Sequence, residues 1–268
     1  MTGSGSTGPD WLAVCRASVD DVRRVLDELP TRAEREPVVA QGLGGDDTTA
    51  VDKAAEDAIV ARFRDLEDVS ILSEEVGRIG EGSTVVVIDP IDGSLNAKRG
   101  IPFFSVSIAV AAGDRMGDVH FGYVYDFGSG EEWVARSGEG ATLNGQPLSM
   151  RPKDTIEILS FEATLTSLVA RDAPKVAALA YRLRIMGSLA LSLCHLAAGR
   201  IDAVCSLKPA RSVDIAAAQL LVREQGLAID LPEAPPFDAA PLDVEGRSRV
   251  VAAGTPELCA QLFAALSA

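Results

Sequence analysis

Apolar residues recur at spacings of three and four through Leu12, Cys15, Val19, Val22, Leu26 and Leu29. That is the seam of an amphipathic helix, and Pro30 ends it. A glycine-rich loop, Gln41-Gly-Leu-Gly-Gly-Asp-Asp-Thr-Thr49, leads to a second helix over Asp52 to Leu66, with Ala55, Ala58, Ile59 and Phe63 on one face. Val69 to Leu72 reads as a short strand that runs straight into Ser73-Glu-Glu-Val-Gly77. The β-branched run Thr84-Val-Val-Val-Ile88 reads as a buried strand, expected to stop at Asp89-Pro90 because proline has no N–H for a ladder.

A β-rich stretch follows over Phe103 to Ala112, Val119 to Tyr125 and Glu132 to Arg136, and Asn144-Gly145 marks a tight turn between short strands. From about Thr155 strands and helices alternate. Strands are expected at Ile156 to Phe161, Leu183 to Met186, Ile201 to Ser206 and Arg249 to Ala253. Helices are expected at Ser188 to Ala198, Val213 to Gln225 and Pro256 to Leu266, the last with Thr255-Pro256 as N-cap and first residue. The pattern predicts an α+β N-terminal lobe over 1–150 and an α/β C-terminal lobe over 151–268. No linker is long enough to let the two move independently.

Composition narrows the classes. The chain has 268 residues, 47% of them apolar, and a formal net charge of −14, which argues against binding nucleic acid or an anionic membrane. Cys15, Cys194, Cys205 and Cys259 are scattered and form no C-x-x-C pair, as expected of reduced thiols in a cytoplasmic protein. Two histidines, His120 and His195, exclude a multi-histidine zinc site, and His195 falls in an apolar helical pattern that reads as packing. The N-terminus lacks the basic and apolar regions of a secretory signal, and no apolar run approaches the roughly 20 residues of a membrane span.

The candidate chemistry sits at strand exits. Asp89-Pro-Ile-Asp-Gly93 places two carboxylates three residues apart beside an apolar strand, where they are costly without a partner such as a metal ion. The same pentapeptide also suits a hydrogen-bonded β-turn. Glu74 and Glu75 follow a strand too, as a solvated loop would or as a second set of ligands. Asp214, in Ser212-Val-Asp-Ile-Ala-Ala-Ala218, opens a helix and reads either as a cap or as a ligand. Asp52 is a first-turn acid that suits a helix dipole or a site. Magnesium takes oxygen ligands, and two such ions can clamp the attacking and leaving oxygens of phosphoryl transfer.

Ser73-Glu-Glu-Val-Gly77, Asp89-Pro-Ile-Asp-Gly-Ser-Leu-Asn96, Gly187-Ser188 and Val213-Asp-Ile-Ala-Ala217 resemble, in order, the motifs of the inositol monophosphatase superfamily. The resemblance runs from about Asp46 to the C-terminal helix. Gly140-Ala-Thr-Leu-Asn-Gly145 and Lys208-Pro-Ala-Arg-Ser-Val-Asp214 look nearest the archaeal-type branch, whose members often hydrolyse both inositol monophosphate and fructose 1,6-bisphosphate. The resemblance implies an α+β fold, specifically a layered α/β/α/β/α sandwich, and a lithium-sensitive phosphomonoesterase using two or three Mg²⁺ ions. Glu74, Asp89 and the Ile91 carbonyl would hold the first ion; Asp89, Asp92 and Asp214 would hold the second; Glu74 could support a third. Ser94, oriented with Asp52, would polarise the attacking water, with Glu74 contributing to catalysis. The Gly93 and Ser94 amides would steady the phosphate, with Asp92 at their side, and Gly187-Ser188 would face the sugar ring. Family habit implies a homodimer.

Several positions depart from the pattern. Ser94 replaces threonine, Ala97 replaces an aromatic residue, and Val213 replaces a tryptophan, so inositol preference is open while every metal ligand remains. Arg182, Arg184, Lys208 and Arg211 are the candidate contacts for a second phosphate, or else lobe-surface residues. Histidinol phosphate, 3′-phosphoadenosine 5′-phosphate and NADP are alternative substrates on the same scaffold. A protein-binding factor is an alternative of another class. The glycine loop from Gly42 to Gly45 is expected to order when metal or substrate binds.

Overall fold

A computed structural model describes residues 8–42, 47–162 and 165–268. The expectation that the loop from Gly42 to Gly45 orders on binding falls, apart from Gly42, outside the described residues. Among those described, an eight-stranded sheet runs from edge to edge as Gln146–Pro147, Gly140–Leu143, Glu132–Arg136, Val119–Asp126, Ser105–Ala111, Thr84–Asp92, Val69–Ser73 and Gly77–Ile79. A five-stranded sheet runs as Ala180–Arg184, Ile156–Glu162, Ala203–Ser206, Val251–Ala253 and Ala228–Asp230.

Helices separate and cover the sheets. Trp11–Glu28 and Ala50–Phe63 pack on one face of the large sheet through Cys15, Val22, Ala55, Ile59, Val86 and Ile88. Leu189–Ala197 and Ala218–Glu224 fill the space between the sheets, burying Val85 and Val87 on one side and Val204 and Ala252 on the other. Pro256–Ser267 covers the outer face of the small sheet through Leu258, Cys259 and Leu262. The layers are α/β/α/β/α. Residues of Thr84–Asp92 alternate between two buried faces, so the strand reads as an unbroken apolar run. Among the described residues no helix is long and apolar enough to cross a membrane.

Three elements differ from the sequence expectation. The strand from Thr84 does not end at Pro90; its pairing with Ser105–Ala111 breaks after Asp89↔Ser107 and resumes at Asp92↔Ser105. Residues 90 and 91 oppose one partner position, which is a bulge. Side chains three apart on a regular strand point to opposite faces, and the extra residue returns Asp92 to the side of Asp89. Next, the edge strand lies at Ala180–Arg184 rather than Leu183–Met186, because it is largely exposed and apolar periodicity marks it poorly. Last, the helix expected from Val213 to Gln225 divides into Ser212–Ile215 and Ala218–Glu224. The division falls where a neighbouring strand comes close: a Cβ on Gly122 would stand 2.5 Å from the Ala217 carbonyl oxygen.

Candidate active site

Asp89, Asp92, Glu74 and Asp214 reach one cleft of about 390 Å³ between the two sheets. Asp89 is 2% exposed, and its Oδ1 accepts from the Ile91 N–H at 3.2 Å. Burial, then the charges of Glu74, Asp92 and Asp214, push its carboxyl well above the ordinary range, against the pull of Arg211. Glu74 is pushed up to about 8, first by burial, with Arg211 opposing and Asp214 and Glu75 adding to it.

Asp92 is fixed by the start of the helix Leu189–Ala197. It accepts from the Ser188 hydroxyl, from Ala190 N at 2.8 Å and from Leu189 N at 3.3 Å. Burial raises its carboxyl to about 7, with the Ser188 hydrogen bond opposing the rise. Ser188 is therefore turned to Asp92 and does not line the cleft; Gly187 and Leu189 do. Gly93 has a φ of +92°, and a Cβ there would come within 3.1 Å of the Gly187 carbonyl. Only glycine adopts that angle without strain, and the close approach locks the two turns together.

Ser94 and Asp52 both line the cleft but are bonded elsewhere. Ser94 Oγ donates to the Ile91 carbonyl at 2.9 Å, so two groups with separate expected roles touch each other. Asp52 Oδ2 accepts from Thr49, and its Oδ1 is buried with no hydrogen-bond partner.

The basic candidates separate. Lys208 and Arg211 line the cleft; Arg182 and Arg184 do not. Arg182 pairs with Glu157, and the exposed Arg184 donates to the Leu183 carbonyl, because the edge strand carrying them presents its polar side chains to solvent. Arg211 is bonded to carboxylates: to Glu74 through Nη2, and to Asp214 through its backbone N–H at 2.8 Å, Nε at 3.2 Å and Nη2 at 3.1 Å. Burial works against its charge, yet Asp214, Glu74 and Asp89 hold it more firmly protonated than usual.

Glu162, Lys98 and Arg247 are among the cleft residues that had not been expected. Glu162 stands one position past the expected end of its strand and accepts from Ser160 at 2.8 Å, Ser192 at 2.7 Å and Gly187 N at 2.9 Å. The strand-exit rule that marked Glu74 and Asp89 would have found it. Lys98 and Arg247 also line the cleft, and no local signal marks Arg247, in the loop before the last strand. Behind the cleft, Glu56 accepts from Ser73 Oγ at 2.5 Å, Glu75 N at 3.1 Å and Val76 N at 3.2 Å, holding the turn that carries Glu74. His195 packs as expected, stacked on Phe103 and edge-on to Trp133.

The donor set suits a hard divalent cation. It is all oxygen, buried at Asp89 and Asp92 and partly buried at Glu74 and Asp214, and mutually repelling, and the Arg211 guanidinium lies among the carboxylates as counter-charge. Among the described residues no group of three or more acidic, histidine or cysteine side chains is arranged to hold an ion as it stands. Glu74 and Asp214 are held by Arg211 instead.

A five-layer sandwich with this carboxylate cleft between its sheets is the architecture of a family of phosphomonoesterases that act on small phosphorylated substrates. The chain belongs to the inositol monophosphatase family, whose model matches residues 13–267 and whose members generally use divalent metal ions. It is 32% identical over 262 residues to the fructose-1,6-bisphosphatase/inositol-1-monophosphatase of Methanothermobacter thermautotrophicus, covering 92% of this chain and 93% of that protein. It is 38% identical over 195 residues to the Nus factor SuhB of Pasteurella multocida, covering 68% and 70%. The crystal structure of an inositol monophosphatase-fructose 1,6 bisphosphatase superposes with a TM-score of 0.84 at 28% identity, covering 96% of this chain and 100% of that one.

Proposed function

We propose that this protein is a Mg²⁺-dependent phosphatase acting on inositol monophosphate, fructose 1,6-bisphosphate or both. The observation that carries the reading is Asp89, 2% exposed and sharing one cleft with three other carboxylates, its carboxyl raised first by burial and then by their charges. Glu74, Asp89 and the Ile91 carbonyl would hold one ion, and Asp89, Asp92 and Asp214 a second. Ions bound there would lower the pKa of water and offset charge on the leaving oxygen.

The chain's own groups account for the rest. Ser188 and the amides of 189 and 190 hold Asp92 in one orientation, so no reorganisation is needed at that carboxylate. Asp52 Oδ1, buried without a partner, would accept a proton from the attacking water, with the Ser94 hydroxyl in the same cleft. Lys98, Lys208 and Arg247 bring positive charge to a cleft that must admit an anion into an acidic chain.

The test is phosphate release from inositol 1-phosphate and fructose 1,6-bisphosphate in parallel, titrated with Mg²⁺ and blanked with EDTA. Magnesium-dependent release is expected, and the ratio of the two kcat/KM values ranks the substrates. No release from either at saturating Mg²⁺ would overturn the assignment. A homodimer belongs to the same proposal, and sedimentation equilibrium checks it.

A further inference from the structure

A second groove, of about 490 Å³, lies on the small-sheet side of the segment 207–209. Every polar side chain lining it is cationic: Arg171, Lys175, Lys208 and Arg249. Leucine and proline side chains make up the rest. Such a surface stands out on a chain of net charge −14.

Three of the cations are held in place by neighbouring groups. Asp172, 1% exposed, accepts from Arg171 Nε at 2.8 Å and Nη2 at 2.5 Å and pairs with Lys175 at 3.2 Å. Arg249 uses Nε and Nη2 on Glu233 and Ser267. Neither carboxylate lines the groove, and the bonds to Asp172, Glu233 and Ser267 run through Nε and Nη2 of the two guanidinium groups. Guanidinium groups fixed through Nε and Nη2, with ammonium groups beside them, are the chemistry that recognises a phosphate group.

Lys208 and Pro209 line this groove and the catalytic cleft alike, and Arg211, which holds Glu74 and Asp214, is two residues further on. We propose that the groove is a second anion site, taking the phosphate of a small phosphorylated molecule or free phosphate, and that its occupancy alters turnover through residues 208–211. The binding half stands on the groove alone; the effect on turnover rests on the phosphatase reading.

Equilibrium dialysis of the full chain with radiolabelled inorganic phosphate in EDTA tests the binding half, compared with Lys175→Gln and Arg171→Gln. Each variant leaves Asp172 one cation, so the two serve as independent checks should either fail to fold. Wild type should bind phosphate without divalent ions, and a folded variant should bind it at least about tenfold more weakly. No binding by wild type, or equal binding by both folded variants, would overturn the proposal. Ribose 5-phosphate distinguishes the sources: tighter binding than phosphate marks an ester as the ligand, and equal binding marks free phosphate. With Mg²⁺ present, the variants should turn over substrate normally at low phosphate and show only the competitive inhibition expected of a product, whereas wild type should show an added non-competitive response; a response equal to wild type would sink the coupling. Ion-independent binding by a wild type that shows no Mg²⁺-dependent turnover would remove the phosphatase reading and leave the groove standing.

Discussion

Arg211 and Glu74, 137 positions apart in the chain, form an ion pair inside the cleft, with side chains 11% and 16% exposed. The same guanidinium reaches Asp214, so one cation serves two of the carboxylates expected to hold metal. Arg211 is thus the internal counter-charge of the site as well as a residue of the substrate cleft.

Replacing it should expose that role. In EDTA, Arg211→Met is expected to lose about 3 kcal/mol of stability, since Glu74 and Asp214 are left without their cation. Added Mg²⁺ should restore more stability to the variant than to wild type. Thermal unfolding with and without the ion checks this, and an equal Mg²⁺ response in both would count against it.

The raised carboxyls set a pH dependence. Glu74 stands at about 8 and Asp92 at about 7, burial being the main cause, against ordinary values of 4.5 and 3.8. Between the ordinary and the raised value the folded chain holds a proton that the unfolded chain has released, so stability falls as pH rises through that window. Glu74→Gln cannot ionise. In EDTA it should gain on wild type as pH climbs from about 5 to about 8, seen as a widening gap between urea midpoints. A constant gap would refute the assignment.

Ser188 acts through Asp92. Its hydroxyl donates to that carboxylate and also accepts from Leu191 N as the helix cap. Ser188→Ala should cost about 1 kcal/mol as a lost cap. It should also raise the Mg²⁺ concentration for half-maximal rate by about 10- to 100-fold, as lost support of a ligand does. A normal Mg²⁺ requirement would show that the amides of 189 and 190 hold Asp92 unaided.

Asp214→Asn should remove measurable turnover while keeping the fold, because asparagine retains an oxygen to accept from Arg211 N. Circular dichroism and the melting temperature check the fold. A near-normal rate would take Asp214 out of the metal site.

The helix at Trp11–Glu28 and the strands at Thr84, Val119 and Glu132 were legible because each shows its burial as periodicity in its own residues. Asp89, Asp92, Glu74 and Asp214 were legible as acids beside apolar elements, and the order of their motifs indicated the family. The bulge at 90–91 was not, since proline predicts a break in pairing but not its resumption two residues later. Arg184 and Arg211 looked alike in the sequence. One lies on an exposed edge strand and the other among buried carboxylates, a difference that depends on what packs across from each.

The sequence by itself determined most of the elements, the burial of the central strand and the oxygen chemistry at strand exits. These are local properties, written in the spacing of side chains along one segment. Only the tertiary structure decided that Ser188 grips Asp92, that Glu56 holds the turn bearing Glu74, and that Arg211 closes on Glu74. Periodicity tells which face of an element is buried and leaves open which distant element will meet it there.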